Sequence, residues 1–225
     1  MLGFDAARRV VELGRRAFFS VQDPDLPLGR SALLQGDDLL PQFGYVGTRY
    51  SSARILLLGI NPGNGKSNEF RTPEDARMMP AILRFAQSPT EENFAAAARA
   101  YMRECQRWPV WRNHCAEVIG AGKLSLDEIA YSNCLPWRTA SQSGFSDDTA
   151  RKAAELYVRP LVEELNPRVI VAMGKQRVAP ILHMTGLLLP PVIIWNRSQA
   201  PTEAARRERA NAAARILELV GHRQG

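Results

Sequence analysis

The sequence has few of the residues that hold disulfide-rich or metal-dependent proteins together. It contains three cysteines and three histidines among 225 residues. Cys105, Cys115 and Cys134 form no C-x-x-C pair, and the histidines do not stand at the spacing of metal ligands or of a catalytic triad. An odd number of unpaired cysteines is typical of a reduced, cytoplasmic protein. We therefore expect no disulfide framework, no metal site and no cofactor.

Long hydrophobic runs are also absent. The longest, residues 55–60 and 186–195, are too short or too interrupted by proline to span a bilayer. The N-terminal segment lacks the hydrophobic stretch of a signal peptide, and Asp5 and Glu12 are unlike an organelle transit peptide. These absences predict a soluble, cytoplasmic protein with no membrane partner.

What the sequence does have is an ordinary core-forming composition and an excess of positive charge. Hydrophobic residues make up 45% of the chain, which suffices for one globular core in 225 residues. Lys and Arg number 29 against 23 Asp and Glu, which gives a net charge of +6 and a pI of about 9.6. This balance favours an acidic partner such as nucleic acid, although many basic enzymes bind none.

Short apolar runs alternate with helical patterns along the chain. The predicted strands are residues 55–58, 129–135, 169–173 and 192–195. The predicted helices include residues 5–19, 91–105, 146–165, 175–184 and 202–220. Between the first helix and the first strand, residues 23–49 are predicted to form a long ordered loop. This alternation predicts an α/β fold, with one three-layer α/β/α domain over residues 1–225 and a mostly parallel central sheet.

Three asparagines follow predicted strands. Asn61 ends the turn after the first strand, Asn133 lies at the end of the second, and Asn196 follows the fourth. In a parallel sheet the carboxyl ends of the strands share one edge, where ligands bind. An amide both donates and accepts hydrogen bonds, which suits the edge of a planar heterocycle. Asparagine is a common turn residue, so one would mean little, whereas three favour a binding site.

The segment after the first strand also resembles a phosphate-binding loop. Gly63-Asn64-Gly65-Lys66-Ser67 shares the ending of the pattern G-x-x-x-x-G-K-[ST]. However, the first glycine of that pattern falls on Ile60, and Pro62 removes a backbone donor from the cradle. The third and fourth predicted strands also end without an acidic residue to hold a metal ion. A P-loop-like phosphate enzyme is kept as a third interpretation.

Taken together, these motifs resemble those of the uracil-DNA glycosylase superfamily. Gly59-Ile60-Asn61-Pro62-Gly63 is similar to the first motif of the mismatch-specific uracil and thymine-DNA glycosylases and of the single-strand-selective group. Tyr131-Ser132-Asn133 resembles the strand that reads uracil, and residues 169–175 resemble the next strand, which ends in Gly-Lys. Asn196-Arg197-Ser198 stands where the second motif belongs. The resemblance covers residues 54–200 in the family's order, and its first motif is the distinctive one.

The resemblance implies a pocket for a base that has rotated out of DNA. Asn61 would position the attacking water, and Asn196 would help to stabilise negative charge on the departing base. Asn133 would pair with the amide edge of uracil. The other implied base-binding residues are Gly59 and Ile60 through their backbone N–H groups, Gly63 through the space it leaves for 5-substituted bases, and Phe70 through stacking.

Basic residues that follow the strand ends are predicted to contact DNA. Lys66, Arg138, Lys175 and Arg197 stand where they would neutralise phosphates around the same cleft. The resemblance adds Ser198 as a contact to a phosphate beside the flipped nucleotide. Arg197 replaces the proline of the family's second motif, and the cysteine pattern of the iron–sulfur branch is absent. We therefore expect no cluster.

The expected function is that of a monofunctional DNA glycosylase. It would flip out uracil, or a related deaminated or 5-modified base, hydrolyse the glycosidic bond and leave an abasic site. Its expected partner is uracil-containing DNA, single- or double-stranded, and the protein is expected to be a monomer. Asn61 cannot act as a base, so turnover should be lower than in relatives with aspartate there. A catalytically silent member of the fold that binds nucleic acid or a free base is the main alternative.

Overall fold

The computed structural model describes residues 2–18, 44–62, 73–136, 146–174, 176–197 and 202–221. Its strands are β1 Tyr45–Val46, β2 Ile55–Gly59, β3 Ile129–Asn133, β4 Val169–Ala172 and β5 Val192–Ile194. They form one sheet in the order β1-β3-β2-β4-β5. The pairs are parallel except for β1 with β3, which is antiparallel. The predicted α/β fold with a mostly parallel sheet is confirmed.

Helices fill the intervals between the strands. They are α1 Leu2–Phe18, α2 Tyr50–Ala53, α3 Pro73–Gln87, α4 Glu91–Cys105, α5 Ala116–Ala121, α6 Asp147–Ala153, α7 Arg159–Leu165, α8 Val178–Met184 and α9 Glu203–Gly221. One π-helical turn, Trp111–Cys115, precedes α5, and a second, Ala154–Val158, joins α6 to α7. The helix predicted over residues 146–165 is therefore continuous.

The strand at the centre of the sheet is buried on both faces. The first four residues of β2 are 0% exposed, as expected for a parallel strand that helices cover from both sides. Alternation along β3 defines the two faces. On one, which we call the Tyr131 face, the Tyr131 ring lies 5.3 Å from the ring of Trp111. On the other, which we call the Ser132 face, the hydroxyls of Ser132 and Tyr157 are 3.0 Å apart.

The local signals that set helix ends act as the sequence predicts. The Ser146 hydroxyl accepts a hydrogen bond from the backbone N–H of Thr149 and so caps α6. Asn166 ends α7 in the left-handed conformation, with φ of 41°. In the part of the chain that the structure describes, no helix is both long and apolar enough to cross a membrane.

Several boundaries differ from the sequence prediction. Within residues 23–49, predicted as loop, Tyr45–Val46 forms an edge strand, which is too short to give a periodic pattern. Its entry needs Gly44, because a Cβ there would lie 2.1 Å from the carbonyl oxygen of Tyr131. The second predicted strand ends at Asn133 instead of residue 135, where its register with β2 also ends. The helix predicted from residue 175 begins at Val178.

A charge cluster joins α3 to α4 at the surface. The carboxylate of Glu104 is 1% exposed because arginine side chains cover it, and it accepts hydrogen bonds from Arg77 at 2.9 Å and Arg103 at 3.3 Å. Arg107 lies 3.6 Å away. Burial raises the pKa of Glu104, but the hydrogen bond and charge of Arg77, with the charge of Arg107, outweigh it and hold this pKa below its ordinary value. Glu104 therefore stays ionised at neutral pH.

We predict that Glu104→Gln lowers the free energy of unfolding by about 2 kcal/mol, because it removes the charge that three arginines share. Urea unfolding at pH 7 measures this. The matched control is Glu163→Gln, which breaks the exposed Arg159–Glu163 pair at 3.3 Å and should cost about 0.5 kcal/mol or less. Equal losses in the two variants would contradict a special role for the Glu104 cluster.

Candidate functional site

The candidate site lies where β2 and β3 end side by side. Gly59 and Asn133 are register partners in these parallel strands. The hydrogen-bond ladder continues one step past the strands, since Cys134 N–H donates to the Gly59 carbonyl and Leu135 N–H donates to the Ile60 carbonyl, both at 2.9 Å. The turn that carries Asn61 is therefore held against the end of β3 by main-chain bonds. This gives the site a rigid support at the carboxyl edge of the sheet.

Gly59 creates the space that the Asn133 side chain occupies. A Cβ at position 59 would lie 2.4 Å from Asn133 Oδ1 and 3.1 Å from the Tyr131 hydroxyl. Neither distance leaves room for a methyl group without movement of the amide. Gly59, the first glycine of the motif, therefore has a steric role. Because it has no side chain, the Asn133 amide can lie directly over the backbone of β2.

The Asn133 amide is buried and has a defined partner. Asn133 is 2% exposed, and its Oδ1 accepts a hydrogen bond from the Tyr131 hydroxyl at 3.3 Å. Burial raises the pKa of Tyr131 well above its ordinary range, while the charge of Arg197 and the bond to Asn133 only partly oppose this shift. The Tyr131 hydroxyl therefore keeps its proton at neutral pH and remains a donor. Sequence reasoning missed this role, although the spacing of two residues along a strand places Tyr131 and Asn133 on one face.

Asn61 follows β2 in the turn that lies beside the end of β3. It is 9% exposed and follows Ile60, whose carbonyl is bonded to the backbone of Leu135. Pro62 comes next and fixes the chain direction after the turn. The structure thus brings Asn61 and Asn133 to one edge of the sheet. The roles that we predicted for the two side chains stay predictions.

Asn196 reaches the same edge but turns toward the last described helix. Its side-chain Nδ2 donates to Glu208 Oε2 at 2.8 Å, and its backbone carbonyl accepts from Arg209 Nε at 2.8 Å. Arg209 also lies 3.7 Å from the carboxylate of Glu117. These bonds hold the segment after β5 against α9 and α5. The amide nitrogen that we expected to face a departing base is engaged with Glu208.

Arg209 differs from the two other arginines in this part of α9. Arg206 and Arg207 are exposed. The Arg209 side chain is only 16% exposed. Its surroundings are set by Glu117 and Asn196, which lie far away in the sequence, so the pattern within the helix does not reveal them.

Arg197 brings positive charge to the Tyr131 face. It is half-buried, and its charge acts on Tyr131, His114 and Cys115. His114 is 7% exposed, and no side chain or backbone group of the described residues bonds to its Nδ1. Burial, with the charges of Arg197 and Arg209, lowers the pKa of His114 to about 4, so it is neutral at pH 7. His114 is therefore a buried, uncharged side chain at neutral pH.

Six predicted site residues lie outside the described residues. They are Gly63, Lys66, Phe70, Arg138, Lys175 and Ser198. Their assignments to base stacking and DNA contact stay predictions. Among the described side chains, no group of three or more histidine, cysteine, aspartate or glutamate residues is placed to hold a metal ion.

Comparison with known proteins adds no family assignment. Scans of the chain against protein-family models and against curated proteins gave no match. The chemistry of the site itself therefore carries the functional argument.

His114 predicts a pH dependence of stability. Because its folded pKa of about 4 lies below the ordinary value of 6.5, the unfolded chain takes up a proton first as the pH falls. Stability should be full above pH 6.5 and decline toward pH 4 by on the order of 2 kcal/mol. His114→Gln should flatten this part of the profile, as measured by urea unfolding at a series of pH values. His183→Gln, at an exposed position on α8, is the control, and parallel profiles for wild type and His114→Gln would refute the assignment.

Proposed function

We propose that this protein is a monofunctional DNA glycosylase that excises uracil or a related deaminated or 5-modified base by hydrolysis. The observation that carries the proposal is the buried Asn133 amide, which lies over Gly59 at the carboxyl edge of the sheet, the edge where Asn61 also lies. The arrangement supports recognition of a flat ring through its polar edge.

The Asn133 amide matches the edge that distinguishes uracil. Uracil presents a carbonyl oxygen and a ring N–H side by side, and an amide offers a donor and an acceptor at the same spacing. A site that is built to bond a polar edge strongly disfavours bases that leave its groups unpaired. Since Asn133 is 2% exposed, water does not readily replace a missing partner.

Catalysis in this proposal is mainly electrostatic. Cleavage of the glycosidic bond leaves negative charge on the base, and preorganised donors and positive charge stabilise it. Arg197 supplies positive charge on the Tyr131 face, where the pKa values of Tyr131 and His114 respond to it. The predicted contribution of Asn196 would require its amide to leave Glu208, at 2.8 Å. We therefore assign part of this stabilisation to Arg197, for which the sequence alone predicted only a contact to DNA.

Asn61 acts in this scheme by orienting water. An amide cannot take a proton from water as a carboxylate does, so the nucleophile stays neutral until the bond to the base has largely broken. The base must also leave the stack, at a cost of a few kcal/mol. Slow turnover follows from both conditions.

DNA is the proposed partner, and a monomer suffices for the proposed reaction. The net charge of +6 and the placement of Arg197 beside the site favour a phosphate-lined substrate. Lys66, Arg138, Lys175 and Ser198 are proposed to extend this contact to the phosphates beside the flipped base. Affinity should accordingly fall as salt concentration rises.

A binding protein without catalytic activity is the second candidate. One observation favours it, because the Asn196 amide is bonded to Glu208 and thereby turned toward α9. The absence of a carboxylate at position 61 points the same way. Such a protein would hold a base or a nucleic acid in the same pocket and leave the glycosidic bond intact.

One assay separates the two candidates. End-labelled oligonucleotides carry a single uracil in a single strand, opposite guanine or opposite adenine, and are treated with alkali after incubation with the protein. Breaks at uracil that appear only after alkali support a monofunctional glycosylase. Retention of the oligonucleotide in a gel-shift experiment without alkali-sensitive breaks supports the binding protein. Breaks before alkali would exclude the monofunctional assignment.

Asn61→Asp should raise the rate of uracil excision by about tenfold or more, because a carboxylate activates the water that an amide only orients. Single-turnover rates on uracil-containing DNA measure the change. Asn211→Asp places the same negative charge on an exposed position of α9 and should leave the rate unaltered. An unchanged or abolished rate in Asn61→Asp would count against the water-positioning role.

A further inference from the structure

An asparagine that reads a base can face it in two ways. With the amide in one orientation it complements an adjacent carbonyl and ring N–H, as in uracil. Rotated by 180°, it complements an adjacent amino group and ring nitrogen, as in cytosine. Deamination converts the second edge into the first. A site for deaminated bases therefore needs a device that holds its amide in one orientation.

Tyr131 is placed to be that device. Its hydroxyl donates to Asn133 Oδ1 at 3.3 Å, and both residues are buried on the same face of β3. The tyrosine ring is packed against Trp111, with ring centroids 5.3 Å apart, so the hydroxyl cannot readily swing away. The Oδ1 atom is also the amide atom that lies over Gly59, 2.4 Å from where a Cβ would stand.

Rotation of the amide would leave the hydroxyl proton without an acceptor. Asn133 Oδ1 is the hydrogen-bond acceptor of the Tyr131 hydroxyl among the described residues, and Tyr131 is 6% exposed. Rotation would bring Nδ2 to the hydroxyl oxygen, which can accept from it, but the hydroxyl proton would then point away from Asn133 into a buried surrounding. A buried donor that loses its acceptor makes the rotated form less populated by about tenfold. Oδ1 retains a second lone pair for the ring N–H of a bound base.

We infer that Tyr131 is the specificity-determining residue of this site. Its hydroxyl fixes the Asn133 amide so that the pocket reads the carbonyl and N–H edge of deaminated bases and rejects the amino edge of cytosine and adenine. The inference rests on the proposed function, which supplies the substrate. It defines the substrate class by the hydrogen-bonding edge of the base and not by the size of its ring. Hypoxanthine, which carries the same edge as uracil, belongs to the class.

The chain offers a matched control for the decisive variant. Tyr131→Phe removes the hydroxyl and keeps the ring against Trp111. Tyr157→Phe removes another buried hydroxyl, which lies 3.0 Å from Ser132 on the opposite face of the same strand. Both variants lose one buried hydrogen bond at β3, and only the first frees the Asn133 amide.

The test measures binding of free uracil and free cytosine to wild type and to both variants by fluorescence titration, in parallel with excision from uracil oligonucleotides. We expect the uracil-to-cytosine affinity ratio to fall about tenfold in Tyr131→Phe and to stay at the wild-type value in Tyr157→Phe. A general loss of folding would weaken both bases together and leave the ratio unmoved. If Tyr131→Phe does not fold, 3-fluorotyrosine at position 131 keeps the ring and strengthens the donor, so that the ratio should rise.

Each outcome separates this inference from the proposed function. An unchanged ratio in a Tyr131→Phe variant that binds uracil as tightly as the wild type, with uracil still excised by the wild type, overturns the role of Tyr131 and leaves the glycosylase intact. If the ratio falls in Tyr131→Phe but the wild type excises no uracil, the role of Tyr131 is supported and the hydrolase function is excluded. Equal affinity of the wild type for uracil and cytosine, or no affinity for either, overturns the inference.

Discussion

The parallel register of β2 and β3 is the constraint on which the site depends. It places Gly59 beside Asn133, and the missing side chain at Gly59 is what admits the amide over the strand. The same register aligns Ile60 with Leu135, so the turn that carries Asn61 is fixed by main-chain hydrogen bonds. Core packing and site geometry are therefore set by a single strand pair, and a shift of one residue would disrupt both.

Much of the fold was predictable because parallel strands leave a strong signal. A strand that is buried on both faces needs an unbroken apolar run, and residues 55–58 and 169–172 provide such runs. The two-residue strand β1 and the short helix Tyr50–Ala53 escape prediction, since neither is long enough to repeat its period. Their formation depends on contacts with β3 and with the turn at Leu126–Glu128, which no local window contains.

The site was predictable in its positions and less so in its contacts. The rule that strand ends share an edge locates Asn61, Asn133 and Asn196 together without any coordinates. It does not say which partner each amide takes. Asn133 bonds to a tyrosine of its own strand, which alternation permits, whereas Asn196 bonds to Glu208, which requires α9 to pack across the end of β5. The sequence predicts which residues lie at this edge of the sheet. Tertiary packing decides which of their side chains are bonded within the protein.

The bonds from α9 to the segment after β5 bear on the order in which the site forms during synthesis. Glu208 and Arg209 both hold Asn196, and both lie later in the chain than every strand of the sheet. A nascent chain can pair β2 with β3 and bury the Asn133 amide well before α9 leaves the ribosome. The half of the candidate site on β2 and β3 would then exist before the half that carries Asn196 and Arg197. A growing chain would pass through a stage in which the Asn133 amide is in place and the segment after β5 is not yet held.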